Sequence, residues 1–200
     1  SQILETVLEL CSKRLPAKYK LDAFSDIQVI IPTKKGLCGV YNVNNELQRV
    51  LNPKEPYKKE IEAHGIIFRE GDRVMQIKND YEMEWQRGEG GETAGTGVFN
   101  GEMGILTRLD SKSRIAHVLF DDEREAIYDG TKLMNLELCY AVTVHKSQGS
   151  ESKIVITYIN KDHGKLLCSR EILYTAITRA SYGVEIFTNS IDSIEAAINN

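Results

Sequence analysis

An α/β fold interrupted by a small antiparallel β-barrel is what this 200-residue sequence predicts. Three observations carry it. A β-branched run, I-Q-V-I-I-P at 27–32, is followed by a loop and a helix-periodic stretch. The middle of the chain then changes to short alternating segments separated by turn signals. From Leu138 onward, apolar strand-like runs and helix-like runs alternate again.

In chain order, Ile3, Leu4, Val7, Leu8 and Cys11 recur at helical spacing and predict an amphipathic helix over 2–14. The run at 27–32 is a buried strand stopped by Pro32, and K-K-G-L-C-G is a loop. Val40, Val43, Leu47, Val50 and Leu51 predict a helix over 40–51, stopped by Asn52-Pro53. Past about residue 64, strands are predicted at 73–78, 104–109, 114–120 and 124–128, with N-D, N-G, D-D-E and D-G between them. Short strands at regular spacing indicate a small barrel. The segment 86–97, Q-R-G-E-G-G-E-T-A-G-T-G, reads as a flexible hairpin tip or loop. Then L-C-Y-A-V-T-V (138–144) and K-I-V-I-T-Y-I (153–159) predict strands, 169–180 a helix, 184–187 a strand and 191–198 a closing helix.

Composition excludes several classes. Apolar residues are 42% and charged residues 27%, ordinary for a globular domain and wrong for collagen or wholesale disorder. The apolar runs are far shorter than a bilayer requires, so no membrane partner is expected. No basic-then-apolar leader opens the chain, and a start at Ser1 is expected of a processed product or an excised segment. Four cysteines (Cys11, Cys38, Cys139, Cys168) show no C-x-x-C, and the four histidines do not cluster with them. Reduced thiols in a cytoplasmic protein are therefore expected, with no metal site. Net charge is −4, from 25 basic and 29 acidic side chains. Residues 1–60 carry 10 Lys/Arg and 7 Asp/Glu, 61–138 carry 9 and 16, and 139–200 carry 6 and 6. The acidity sits in the middle third, so any contact with nucleic acid must be local.

Three segments could carry chemistry. In T-V-H-K-S-Q-G-S-E, Thr143 to Glu151, a strand ends and donors follow at once. Ligands of parallel sheets gather beyond strand carboxyl ends. On spacing alone, an anion loop and an ordinary polar turn both stay open. Ser147 and His145, two residues apart on a loop, give no sign of a nucleophile–base pair. In L-Y-T-A-I-T-R-A, Leu173 to Ala180, a helix would bury Ile172, Leu173, Ala176, Ile177 and Ala180 and present Arg179 on its other face. P-T-K-K-G, 32–36, taken alone reads as a charged surface turn. No G-x-x-x-x-G-K-[ST] occurs, so the chain by itself builds no phosphate-cradling P-loop.

Taken together and in order, these segments resemble motifs IV, V and VI of superfamily 1 helicases. The stretches I-Q-V-I-I-P-T-K-K-G, L-Q-R-V-L-N-P, G-D-R-V-M-Q-I-K-N-D-Y and V-F-N-G-E-M-G narrow the resemblance to the C-terminal part of RecD-like helicases. That family includes the exodeoxyribonuclease V alpha subunit, and the similarity runs from about residue 20 to 190.

The resemblance implies a RecA-like second motor domain, residues 1–63 and 138–200, with an inserted SH3-like barrel, 64–137. It implies that Arg179 is the arginine finger reaching the γ-phosphate of ATP held by the N-terminal RecA-like domain of the same protein. Lys34, Lys35, Gln148, Gly149 and Glu151 would bind ATP, Glu151 through the ribose. Lys34 stands where many relatives have Arg, keeping the charge without the bidentate fork. Thr143, His145 and Lys146 would contact single-stranded DNA. ATP and Mg²⁺ would serve the whole enzyme, with the metal ligands outside this chain, and the chain alone would neither hydrolyse ATP appreciably nor unwind. The implied activity is 5′ to 3′ DNA unwinding in recombination and repair, with nuclease and helicase subunits of an exodeoxyribonuclease V complex as further partners. Two other readings stay open: a binding module using the barrel, and the equivalent domain of a relaxase-fused helicase.

Overall fold

The computed structural model describes residues 2–88, 90, 93–160, 163–164 and 166–199. It divides into two compact units, Ser1–Leu51 with Tyr140–Asn200, and Asn52–Cys139.

The first unit opens with α1 (Gln2–Glu9), a π-helical turn at Leu10–Arg14 and α2 (Leu15–Tyr19). The predicted helix therefore runs on past 14. Pro16 explains the π turn: it lacks an N–H, and its ring crowds the carbonyl one turn back. The helix widens so that the Leu15 amide bonds to the Leu10 carbonyl. Leu4, Val7, Leu10, Cys11 and Leu15 form the buried stripe.

β1 (Ile27–Ile31) is buried at every position, as its continuous apolar run requires. Its one polar member, Gln28, donates from Nε2 to the Tyr140 carbonyl at 3.1 Å. α3 (Val40–Leu51) has the predicted bounds and buries Val40, Val43 and Leu47.

β11 (Ala141–Thr143), β1, β12 (Ser152–Ile159) and β13 (Ala180–Thr188) form a parallel sheet in the order β11-β1-β12-β13. Asn44 of α3 serves the edge strand β11: its Nδ2 donates to the Ala141 carbonyl at 2.9 Å and its Oδ1 accepts from the Ala141 amide at 2.8 Å. α4 (Arg170–Ile177), N-capped by Ser169, and α5 (Ile191–Asn199) pack Leu173, Ala197, Ile172 and Ile177 around Ile159 and Cys168.

The second unit is all β apart from a short 3₁₀ turn, Lys132–Asn135. Its hairpin is β2 (Glu60–Ala63) with β3 (Ile66–Arg69), turned at His64-Gly65, both in the left-handed region. The main sheet joins β4 (Arg73–Gln76), β5 (Asp80–Arg87), β6 (Thr93–Val98), β7 (Met103–Asp110), β8 (Ile115–Phe120), β9 (Arg124–Tyr128) and β10 (Leu136–Leu138) in the order β10-β4-β7-β8-β9-β5-β6, with every pair antiparallel. Leu106, Leu109, Val118, Leu133 and Tyr128 are fully buried, and the Tyr128 hydroxyl donates to Gln76 Oε1 at 2.9 Å.

Several expectations need correction. The run 138–144 is not one strand. β10 ends at Leu138 in the second unit and β11 begins at Ala141 in the first, so one apolar run supplies two sheets. The β unit begins at Asn52 rather than 64, because β2 and β3 belong to it, and ends at Cys139 rather than 137. The segment 86–97 is mostly strand, with Gln86 and Arg87 in β5 and 93–97 in β6. Glu89, Gly91 and Glu92, where a flexible tip was expected, lie outside the described residues. Gly95 is there because the Trp85 ring covers it: a Cβ would meet that ring at 2.5 Å. The strand expected at 184–187 spans 180–188, and the helix expected to reach 180 stops at Ile177.

Candidate functional site

The register of the parallel sheet fixes where each loop of interest lies. Ile31 pairs with Thr143, so the loops that follow β1 and β11 leave the same carboxyl edge side by side. Ile27 pairs with Ile154, and Ser152 pairs with Ala180. The Ser152–Ala180 level is thus about six residues, or ~20 Å, from the Ile31–Thr143 level along the strands. The segment 144–151 starts at the carboxyl edge and ends at the amino edge.

At the start of that segment the backbone is wound tightly. The Ser147 amide donates to the Thr143 carbonyl at 3.0 Å, and the Lys146 amide to Thr143 Oγ1 at 3.4 Å. Ser147 is fully buried, with Oγ donating to the Val144 carbonyl at 2.7 Å. This hydroxyl builds the turn and offers no nucleophile. Ser150 Oγ donates to the Ser147 carbonyl at 2.7 Å. His145, Gln148, Gly149 and Glu151 are exposed, and Lys146 is half-buried. Gly149 has φ +85° with open space around it, so its need is conformational.

Arg179 meets the other end of the segment. It lies in the turn between α4 and β13, not on the helix as expected, because the chain leaves helical geometry after Ile177 to enter the sheet. Its carbonyl accepts from the Ser152 amide at 2.9 Å. Its Nη1 donates to the Ser150 carbonyl at 3.4 Å and its Nη2 to Thr178 Oγ1 at 3.3 Å, both long, while Nε is buried with no partner. No carboxylate among the described residues forms an ion pair with it. A guanidinium carries five donors, and here they are barely used. The positive charge is held in place without being neutralised, as stabilising an anion requires.

Lys34 and Lys35 are exposed in the loop after β1, on the edge opposite Arg179. The structure does not bring them to Arg179 and Glu151, with which they were expected to share a nucleotide. It groups them with Thr143 and His145. Gly36 takes φ +96° in that loop, and a Cβ on Gly39 would stand 2.4 Å from the Lys35 carbonyl oxygen, which explains both glycines. Thr143 is buried, its hydroxyl committed to the turn, so its part is to hold His145 and Lys146 rather than to face solvent. Ser150 was missed by the sequence reading because it acts through a main-chain oxygen, which no side-chain pattern signals.

This four-stranded parallel sheet with a β unit inserted after α3 is the RecA-like architecture found in superfamily 1 helicases. The comparisons agree. One family model, described as the ATP-dependent RecD-like DNA helicase SH3 domain, matches residues 43–120. Another, the UvrD-like helicase C-terminal domain, matches 138–185. The ATP-dependent RecD2 DNA helicase of Deinococcus radiodurans is 35% identical over 155 residues, covering 77% of this chain and 19% of that protein. The RecBCD enzyme subunit RecD of Buchnera aphidicola subsp. Schizaphis graminum is 26% identical over 182 residues, covering 90% of this chain and 28% of that one. In fold, the chain resembles the crystal structure of Pif1 helicase from Bacteroides in complex with ADP-AlF3 and ssDNA, with TM-score 0.53 at 18% identity over 96% of this chain and 46% of that one. The chain belongs to the RecD-like family of superfamily 1 DNA helicases, in its C-terminal region, and its inserted β unit is SH3-like. It spans only 19% and 28% of the length of these two relatives.

Proposed function

We propose that this chain is the second motor-domain segment of an ATP-dependent 5′ to 3′ DNA helicase of recombination and repair. The observation that carries this reading is Arg179, an un-neutralised guanidinium tied to both ends of the 150–152 junction. The P-loop and the Mg²⁺ ligands come from an N-terminal RecA-like domain of the same protein, so the isolated segment is inactive.

Arg179 reaches the γ-phosphoryl group of ATP held by that domain and offsets the charge that spreads over its oxygens as the bond to the leaving group lengthens. Glu151 accepts from the ribose, and Gln148 and Gly149 line the nucleotide. At the opposite edge, Lys34, Lys35, His145 and Lys146 contact phosphates of single-stranded DNA, with Thr143 bracing the turn. Because 144–151 spans both edges, closure around ATP displaces the strand contacts, and release restores them. The named relatives of RecBCD support membership in a nuclease–helicase complex, and thiols kept out of disulfides suit the cytoplasm.

The test is ATP turnover by the full-length gene product with and without single-stranded DNA, and strand displacement on duplexes with a 5′ or a 3′ tail. DNA-stimulated turnover with displacement from the 5′ tail alone supports the reading. Turnover indifferent to DNA removes it.

A further inference from the structure

The parallel sheet has one point where its connections diverge. β1 leads toward β11 on one side, and β12 leads through α4 to β13 on the other. Ligands of open α/β sheets settle in the crevice that such a divergence leaves at the carboxyl edge. A cavity of about 320 Å³ lies there, walled by Thr33, Lys35 and Leu37 from the loop after β1, by Tyr158 from the last turn of β12, by His163 and by Ile3.

Its chemistry is specific. Tyr158 and His163 stand edge to face with ring centroids 5.4 Å apart. Leu37, an apolar side chain, is 57% exposed at the rim. Lys35, exposed, lines this apolar slot and pairs with no acid among the described residues. A flat aromatic face, an apolar lip and a cation at the mouth suit a planar heterocycle joined to a phosphate.

We propose that this crevice is a nucleobase subsite. It takes one base of the single strand onto Tyr158 and under Leu37 while Lys35 holds the adjoining phosphate. The inference rests on the single-stranded DNA reading above and adds to it a grip on a base, where the other contacts are to the backbone. Such a grip is indifferent to sequence, because every base has a π-face. It sits next to His145 on the same edge, so the strand passes from the β11 loop into the crevice.

The experiment measures affinity of the full-length protein for a labelled oligothymidylate and for the same strand made abasic. Tyr158→Ala and Leu37→Ala should each bind the base-bearing strand roughly tenfold more weakly, as loss of one stacking contact implies, and bind the abasic strand as wild type does. Tyr158→Phe should keep the base preference. Leu37 is exposed enough that its replacement leaves the fold intact. Equal weakening on both strands, or no weakening on either, overturns the subsite while leaving the strand-binding reading standing. Failure of wild type to bind either strand overturns both.

Discussion

The Ser152 amide donates to the Arg179 carbonyl at 2.9 Å, and in the next position of the ladder Ser152 pairs with Ala180. The backbone of the arginine is thus set by the sheet, while its side chain reaches Ser150 on the loop that arrives from the opposite edge. One loop therefore links the arginine edge with the basic edge of Lys34 and Lys35.

Asn44 completes the edge strand from a helix, bonding both main-chain groups of Ala141. Asn44→Ala leaves a buried amide and carbonyl unpaired, at a cost of about 2–3 kcal/mol. Asn44→Asp loses the donor and places an acceptor against a carbonyl, and should cost at least as much. Chemical denaturation checks both, with the midpoint falling and the slope unchanged.

Two glycines of the loops should respond differently. Gly39→Ala drives a Cβ into the Lys35 carbonyl, which is backbone and cannot swing aside. A cost at the upper end of overpacking, about 3 kcal/mol, is expected. Gly149→Ala meets nothing and pays only for its left-handed φ, about 1 kcal/mol. Thermal unfolding should rank them in that order.

The thiols give a pH prediction. Burial pushes Cys11 and Cys139 up to about 12, so both stay protonated at neutral and mildly alkaline pH. Alkylation of the folded protein at pH 8 should label the half-buried Cys38 before either. The sign for stability follows: above the ordinary thiol range the unfolded chain releases these protons and the folded chain does not. Each thiol then lowers stability by roughly 1.4 kcal/mol per pH unit as pH rises from about 8.5 toward 12, and contributes no slope below. A denaturation midpoint flat from pH 8.5 to 10 would contradict this.

The sequence made some of this legible and hid the rest for physical reasons. β1 and α3 were readable because one is apolar at nearly every position and the other carries an apolar stripe of helical period between a glycine loop and Asn52-Pro53. The run 138–144 misled because periodicity records burial, not which sheet does the burying; Leu138 and Ala141 are both buried, in different units. β6 was hidden by its glycines, of which Gly95 is what lets the Trp85 ring lie across the strand. In the site, motif order located the 143–151 loop and Arg179, but the placement of Lys34 on the other edge comes from strand register, which a single sequence does not display.

The most direct measurement is single-turnover ATP hydrolysis by the full-length protein carrying Arg179→Ala, with nucleotide binding followed in parallel. Hydrolysis should fall by roughly 10³-fold or more while ATP affinity changes little, as a guanidinium proposed to act chiefly on the transition state requires. Hydrolysis within a few-fold of wild type, or an equal loss of binding and turnover, would contradict it.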